Sequence, residues 1–226
     1  VGANSLKANV AAVGNTAVGY NTLKSNTGAN NTAVGTDALS VNVAGAGNTA
    51  VGKDALKSVN GGNSNTAVGL SALAAASGNF NSAVGANSLK LNTGPSNSAI
   101  GFNTLQANTL GANNVAVGYE ALFTNISGTN NTAVGIFALN SNNESFNTAV
   151  GSFSLQANTT GNQNTALGKN YLFANTTGTG NTAVGFEAFK SGTTSIQNTA
   201  IGASTLGSIT TGRNNTTLGY QTGNTL

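Results

Sequence analysis

The nine residues Asn31-Thr32-Ala33-Val34-Gly35-Thr36-Asp37-Ala38-Leu39 decide the fold, because the chain repeats them with little change from one end to the other. The opening phrase returns as Asn48-Thr49-Ala50-Val51-Gly52, as Asn131-Thr132-Ala133-Val134-Gly135 and as Asn181-Thr182-Ala183-Val184-Gly185. Fourteen glycines close it: Gly2, Gly19, Gly35, Gly52, Gly69, Gly85, Gly101, Gly118, Gly135, Gly151, Gly168, Gly185, Gly202 and Gly219, always 16 or 17 residues apart. A period that short is not a domain. It is one coil of a solenoid, completed only by its neighbours.

Stacked coils turn each position into a column. The residue before the glycine is Val, Ile or Leu in all fourteen copies, and the residue four after it is Leu in twelve, with Phe189 and Gly223 the exceptions. Two before the glycine stands Ala in twelve of thirteen copies. Four before it, Asn recurs without exception: Asn15, Asn31, Asn48, Asn65, Asn81, Asn97, Asn114, Asn131, Asn147, Asn164, Asn181, Asn198 and Asn215. Read as a strand, Asn-Thr-Ala-Val places Thr and Val on one face and Asn and Ala on the other. The hydrophobic expectation turns Val inward, together with Leu, and leaves the Ala face outward, kept small by close contact with another chain. Identical Asn side chains about 4.8 Å apart can bond along their column as a ladder.

A second short run, such as Asn21-Thr22-Leu23-Lys24-Ser25, predicts a second strand per coil. The corner after it (Asn26-Thr27-Gly28, Asn158-Thr159-Thr160-Gly161) absorbs the change between 16 and 17 residues. Helix is excluded, since Gly, Asn and Thr dominate and no segment carries apolar residues at helical spacing. The expected fold is all-β: a parallel β-solenoid, or flattened β-roll, of about fourteen coils forming a single array over residues 1–226. It opens in mid-phrase at Val1-Gly2 and stops in mid-coil at Leu226, as a segment of a longer chain would.

Composition narrows the chemistry. Without Cys or His the chain has no disulfide, thiol nucleophile, histidine metal site or customary general base. No metal, cofactor or catalytic residue is expected, and no stretch is apolar enough to cross a membrane. The net charge is +3 with only 6% charged residues, too sparse a field for nucleic acid. Lys7, Lys24, Lys57, Lys90 and Lys190 share one column and read as a solvated edge.

Several motifs imitate sites. Gly47-Asn48-Thr49-Ala50-Val51-Gly52-Lys53-Asp54 approaches a phosphate-binding loop, but the phrase belongs to the repeat and no helix is expected to follow it. Asp37 and Asp54 share a column on successive coils and read as solvated carboxylates beside Lys53 and Lys57. Eight Asn-x-Ser/Thr triplets, among them Asn30, Asn125, Asn143, Asn158, Asn175 and Asn214, follow from the abundance of these residues. The column after the glycine holds the irregular large side chains Tyr20, Phe102, Tyr119, Phe186 and Tyr220, an expected strip of partner or inter-chain contact.

Taken over the whole chain, Asn-Thr-Ala-Val-Gly-x-x-Ala-Leu, as at Asn31 to Leu39 and Asn131 to Leu139, resembles the head repeat of YadA-type trimeric autotransporter adhesins. It is also similar to arrays in phage tail fibres and bacterial surface fibres. The resemblance implies a left-handed roll, three chains packed side by side as a homotrimer, and a place on the cell surface or a virion fibre. It implies a non-enzymatic head or shaft that attaches to a host surface protein or glycan. The period here is longer than in those heads. A self-assembling extracellular filament or a tail-fibre shaft is the neighbouring alternative. An ice-binding solenoid is a third, disfavoured on this reading because the Thr column shares its face with a buried Val.

Overall fold

A computed structural model describes residues 1–224; Thr225 and Leu226, and with them the mid-coil stop, lie outside the described residues. The chain forms two compact units, Val1–Asn113 and Asn114–Leu226. Each is a stack of the same parallel coil, so the all-β solenoid is observed.

The first unit contains β1 (Thr16–Val18), β2 (Ser25–Asn26), β3 (Thr32–Val34), β4 (Val41–Asn42), β5 (Thr49–Val51), β6 (Ser58–Val59), β7 (Thr66–Val68), β8 (Ser82–Val84) and β9 (Ser98–Ile100). Strands β1, β3, β5, β7, β8 and β9 pair in that order, all parallel. Strands β2, β4 and β6 make a second, shorter parallel sheet. The second unit contains β10 (Val115–Val117), β11 (Thr132–Val134), β12 (Thr148–Val150), β13 (Thr165–Leu167), β14 (Thr182–Val184), β15 (Thr199–Ile201) and β16 (Thr216–Leu218), paired in chain order and parallel. Register follows the columns: Thr132 lies against Thr148, Ala133 against Ala149 and Val134 against Val150.

Two expectations about the coil change. The array makes about 12 turns rather than fourteen: among the described residues the first copy, at Val1-Gly2, forms no strand, and the thirteen repeat strands that do form bound twelve coils. The second strand is present only as β2, β4 and β6. Elsewhere among the described residues that stretch is turn or bend. The Leu is left-handed in every coil that has it, including those with β2, β4 and β6, so where the second strand forms it begins only after the Leu.

The larger correction concerns which face is inside. The alternation of Thr-Ala-Val is as read, but Ala and Asn are buried and Thr and Val face outward. Ala33, Ala50, Ala67, Ala133, Ala149 and Ala183 are fully buried, as are most members of the Asn column, whereas Val34, Val51 and Val68 are exposed. The interior is the narrow space within one coil, and it holds Ala from the strand and Leu from the turn. The constancy of the Ala column reflects this fit and not contact with another chain.

Leucine reaches the interior through the turn. In the coil beginning at Gly35, φ is +129° at Gly35, +56° at Asp37 and +48° at Leu39. A Cβ on Gly35 would meet the Gly52 carbonyl oxygen at 2.6 Å, so only glycine fits. A left-handed Leu costs roughly 1–2 kcal/mol. Leu39 is fully buried, and burying such a side chain contributes about 1.5–3 kcal/mol, which offsets the strain.

Two Asn columns supply the polar part of the interior. In the first, each backbone amide donates to the Oδ1 of the Asn one coil earlier: Asn48 to Asn31, Asn65 to Asn48 and Asn81 to Asn65, all at 2.9 Å. In the second unit Asn147 bonds to Asn131 in the same way, then Asn164 to Asn147 and Asn181 to Asn164. The Nδ2 groups donate to carbonyls of the far corner, as Asn48 does to Gly62 and Asn164 to Gly178.

The second column stands seven residues after the glycine and was not anticipated. Asn42 donates to Asn26 at 2.6 Å, Asn158 to Asn142 and Asn175 to Asn158, both at 2.7 Å. The same Nδ2 groups clamp the corner by donating to its carbonyl: Asn42 to Gly45, Asn108 to Gly111, Asn158 to Gly161 and Asn175 to Gly178. Nine Asn at one fixed offset, from Asn9 to Asn175, were the available signal.

Candidate interaction face

With Ala, Leu and Asn inside, the strands present Thr and Val to the outside. In the first unit the apolar column runs Val18, Val34, Val51, Val68, Val84 and Ile100, each at least 36% exposed. Beside it lie Thr16, Thr32, Thr49, Thr66, Ser82 and Ser98, in register from strand to strand. In the second unit the same column is more covered: Leu167, Ile201 and Leu218 are exposed, Val117, Val134, Val150 and Val184 are half-buried, and Thr132, Thr148, Thr165, Thr182 and Thr199 are part-covered. Soluble monomers seldom expose an apolar column of this regularity.

The column after the glycine lies next to this face. Tyr20, Phe102, Tyr119, Phe186 and Tyr220 are all exposed. They do not form an unbroken strip, because Thr36, Lys53, Leu70 and Ala86 intervene in the first unit and Ile136, Ser152, Lys169 and Ala203 in the second. The aromatic run that does form steps sideways by one residue. Tyr119 meets Phe137 edge-on with centroids 5.3 Å apart, and Phe137 stacks on Phe153 at 5.6 Å. The Tyr119 hydroxyl is raised above its ordinary value, first by its hydrogen bond to Glu120 and then by that carboxylate's charge. Tyr171 differs: it is buried, its phenol is raised by burial, and its ring occupies space that only Gly168 leaves open.

The imitated sites resolve into local pairs. Asp37 accepts a 3.0 Å bond from Asn21, and Asp54 contacts Lys57 at 2.9 Å. The hydrogen bond to Asp54, and then its charge, hold the Lys57 ammonium above 10.5. Lys190 pairs with Glu187 at 3.1 Å. Lys53 is exposed at the start of a turn, and no helix follows. Of the Asn-x-Ser/Thr triplets, Asn125, Asn158 and Asn175 are buried in the inner column, while Asn30, Asn143 and Asn214 are exposed. Among the described residues no group of three or more acidic side chains gathers as a metal site, no helix is long and apolar enough to cross a membrane, and no pocket opens.

No family model, curated protein or solved structure matches this chain.

Proposed function

We propose that the chain is a non-enzymatic segment of an extracellular structural fibre, a head or shaft that associates with copies of itself and serves attachment. The observation that carries this reading is the outward Thr/Val face: a parallel sheet with its apolar column turned to solvent is a surface built to be covered. Copies of the chain are the simplest cover, because identical columns offer each other the same spacing along their whole length. The role of seam that the Ala column would have played passes to Val. The likeness of the repeat to YadA-type adhesin heads and to tail-fibre arrays supports a left-handed coil, a homotrimer, and a place on a cell surface or virion. It also supports a host protein or glycan as the further partner, met through the exposed aromatic side chains. Uniform columns suit a scaffold, whereas catalysis needs a local exception.

The deciding experiment is the native mass in solution. A species near three times the 22.1 kDa chain supports the homotrimer, and a larger assembly supports the filament form. A 22.1 kDa monomer with β-type circular dichroism overturns self-association.

A monomer would bring forward a second reading that one observation favours. Thr and Val are both exposed, so the reason for setting ice binding aside no longer holds. Hydroxyl and methyl groups repeated at about 4.8 Å from strand to strand form a regular array that can order water. Thermal hysteresis by the monomer would establish that reading, and its absence would end it.

A further inference from the structure

We propose that Asn60-Gly61 is a site of spontaneous deamidation, set in a corner that the inner Asn column leaves unclamped. The chain holds thirty-eight Asn residues, and Asn60 is the only one followed by Gly. Eighteen are followed by Thr, whose branched β-carbon crowds the approach of its own amide to the preceding side chain. Gly61 has no such obstacle, and a Cβ placed on it would meet nothing within 4 Å. Its φ is +84°, a conformation that glycine adopts freely. Asn60 is exposed, and no hydrogen bond among the described residues holds the Gly61 amide.

Asn63 holds the Gly61 carbonyl and Asn48 the Gly62 carbonyl, but the clamp of the inner column is missing here, and the reason lies one residue before Asn60. Where Asn42 clamps its corner by donating to the Gly45 carbonyl and accepting from the Gly45 amide, the following coil has Val59. Val59 is buried in the same column and can make neither bond. Ala76, Gly192 and Ile209 also interrupt the column, but none is followed by an Asn. The one unclamped corner with a susceptible residue therefore coincides with the one Asn-Gly pair.

The chemistry needs only solvent. The Gly61 amide nitrogen loses its proton to hydroxide and attacks the Asn60 side-chain carbonyl carbon. The new nitrogen–carbon bond closes a succinimide while the bond to Nδ2 breaks and ammonia leaves. Water then opens the ring at either carbonyl, giving an aspartyl or an isoaspartyl linkage at position 60. The net charge falls by one from +3.

The test follows the folded 226-residue chain in mildly alkaline buffer by peptide mass spectrometry. The expected result is conversion of amide to acid at Asn60 at least an order of magnitude faster than at any other Asn, accelerating with pH, and absent in Asn60→Thr. Val59→Asn restores the clamp and is expected to slow the reaction severalfold, with a chain unfolded in denaturant fixing the unrestrained rate. Conversion first at an Asn-Ser or Asn-Thr pair overturns the proposal. So does an Asn60 that stays intact while the unfolded chain converts, or a Val59→Asn rate equal to the parent's.

Discussion

Asn164 shows what a single side chain does in this interior. It donates to Asn147 Oδ1 at 3.3 Å and to the Gly178 carbonyl at 2.8 Å, and it accepts from both the amide and the Nδ2 of Asn181. Asn164→Ala strands the Asn181 amide in a buried setting and removes one of the two bonds to the Gly178 carbonyl, which Asn175 still holds. At about 1–3 kcal/mol for the unsatisfied group, the loss is read as a lowered midpoint in denaturant. Asn164→Asp keeps the acceptor but adds a buried carboxylate whose hydrogen-bond partners among the described residues, Asn147, Gly178 and Asn181, carry no counter-charge. Burial raises its folded pKa above the unfolded value of about 3.9. The relative stability is then present below that value and lost as pH rises through the folded pKa, so the melting temperature of the variant falls with pH where the parent's stays level. Lys57 behaves in the same sense at the other end of the scale. Its pKa is raised by Asp54, so what the pair contributes is present below 10.5 and disappears as pH climbs through the folded value. Asp54→Asn is expected to return the Lys57 titration towards 10.5, as followed by NMR of the side chain.

At the scale of the element, the strand and its turn make separate demands. Val51 is exposed on the outward face, so Val51→Glu should leave the melting temperature of the isolated chain nearly unchanged, within roughly 0.5 kcal/mol, while it disrupts the proposed self-association. A variant that unfolds would place Val51 in the interior after all. In the turn, Phe189 replaces the recurrent Leu, and its larger ring fills the space where Gly192 replaces an inner Asn. A Cβ on Gly192 would sit 2.6 Å from Phe189 Cε2. Gly192→Ala is therefore expected to destabilise by about 1–3 kcal/mol through overpacking. Phe189→Leu should rescue it, with a coupling of about 0.5–3 kcal/mol in the double-mutant cycle.

These two faces also mark how far the sequence could be read. Period, parallel stacking, the alternation of Thr-Ala-Val and the Asn column were legible, because each leaves a regular trace. The direction of the strand was not, since hydrophobicity favours Val inside and the width of the coil does not appear in a pattern of residues. A better clue was variance: Ala and Asn scarcely change, as a narrow interior requires, whereas the outward column accepts Val, Ile and Leu alike. The aromatic run from Tyr119 through Phe137 to Phe153 was missed because it crosses from one column to the next. The inner Asn column, overlooked at its offset of seven, shows that constancy in a polar residue can mark a core.

At the scale of the whole molecule, contacts are short-ranged in sequence. Within each unit every strand pairs only with strands one coil away, and the interior bonds link residues within a coil or about one coil apart. Such arrays unfold as a sum of nearest-neighbour steps and not as one cooperative event. The expected denaturant transition is broad, with an m-value below that of a two-state protein exposing the same surface, and with different midpoints for tyrosine fluorescence and circular dichroism. A single steep transition, coincident by both probes, would contradict this. The shared register has one more consequence. Because each strand hands the next the same alignment of Thr, Ala and Val, insertion or loss of one coil leaves every column continuous. Recombination between copies of the repeat can therefore lengthen or shorten the array in whole coils, so that its reach is inherited as a number of repeats and needs no new interface.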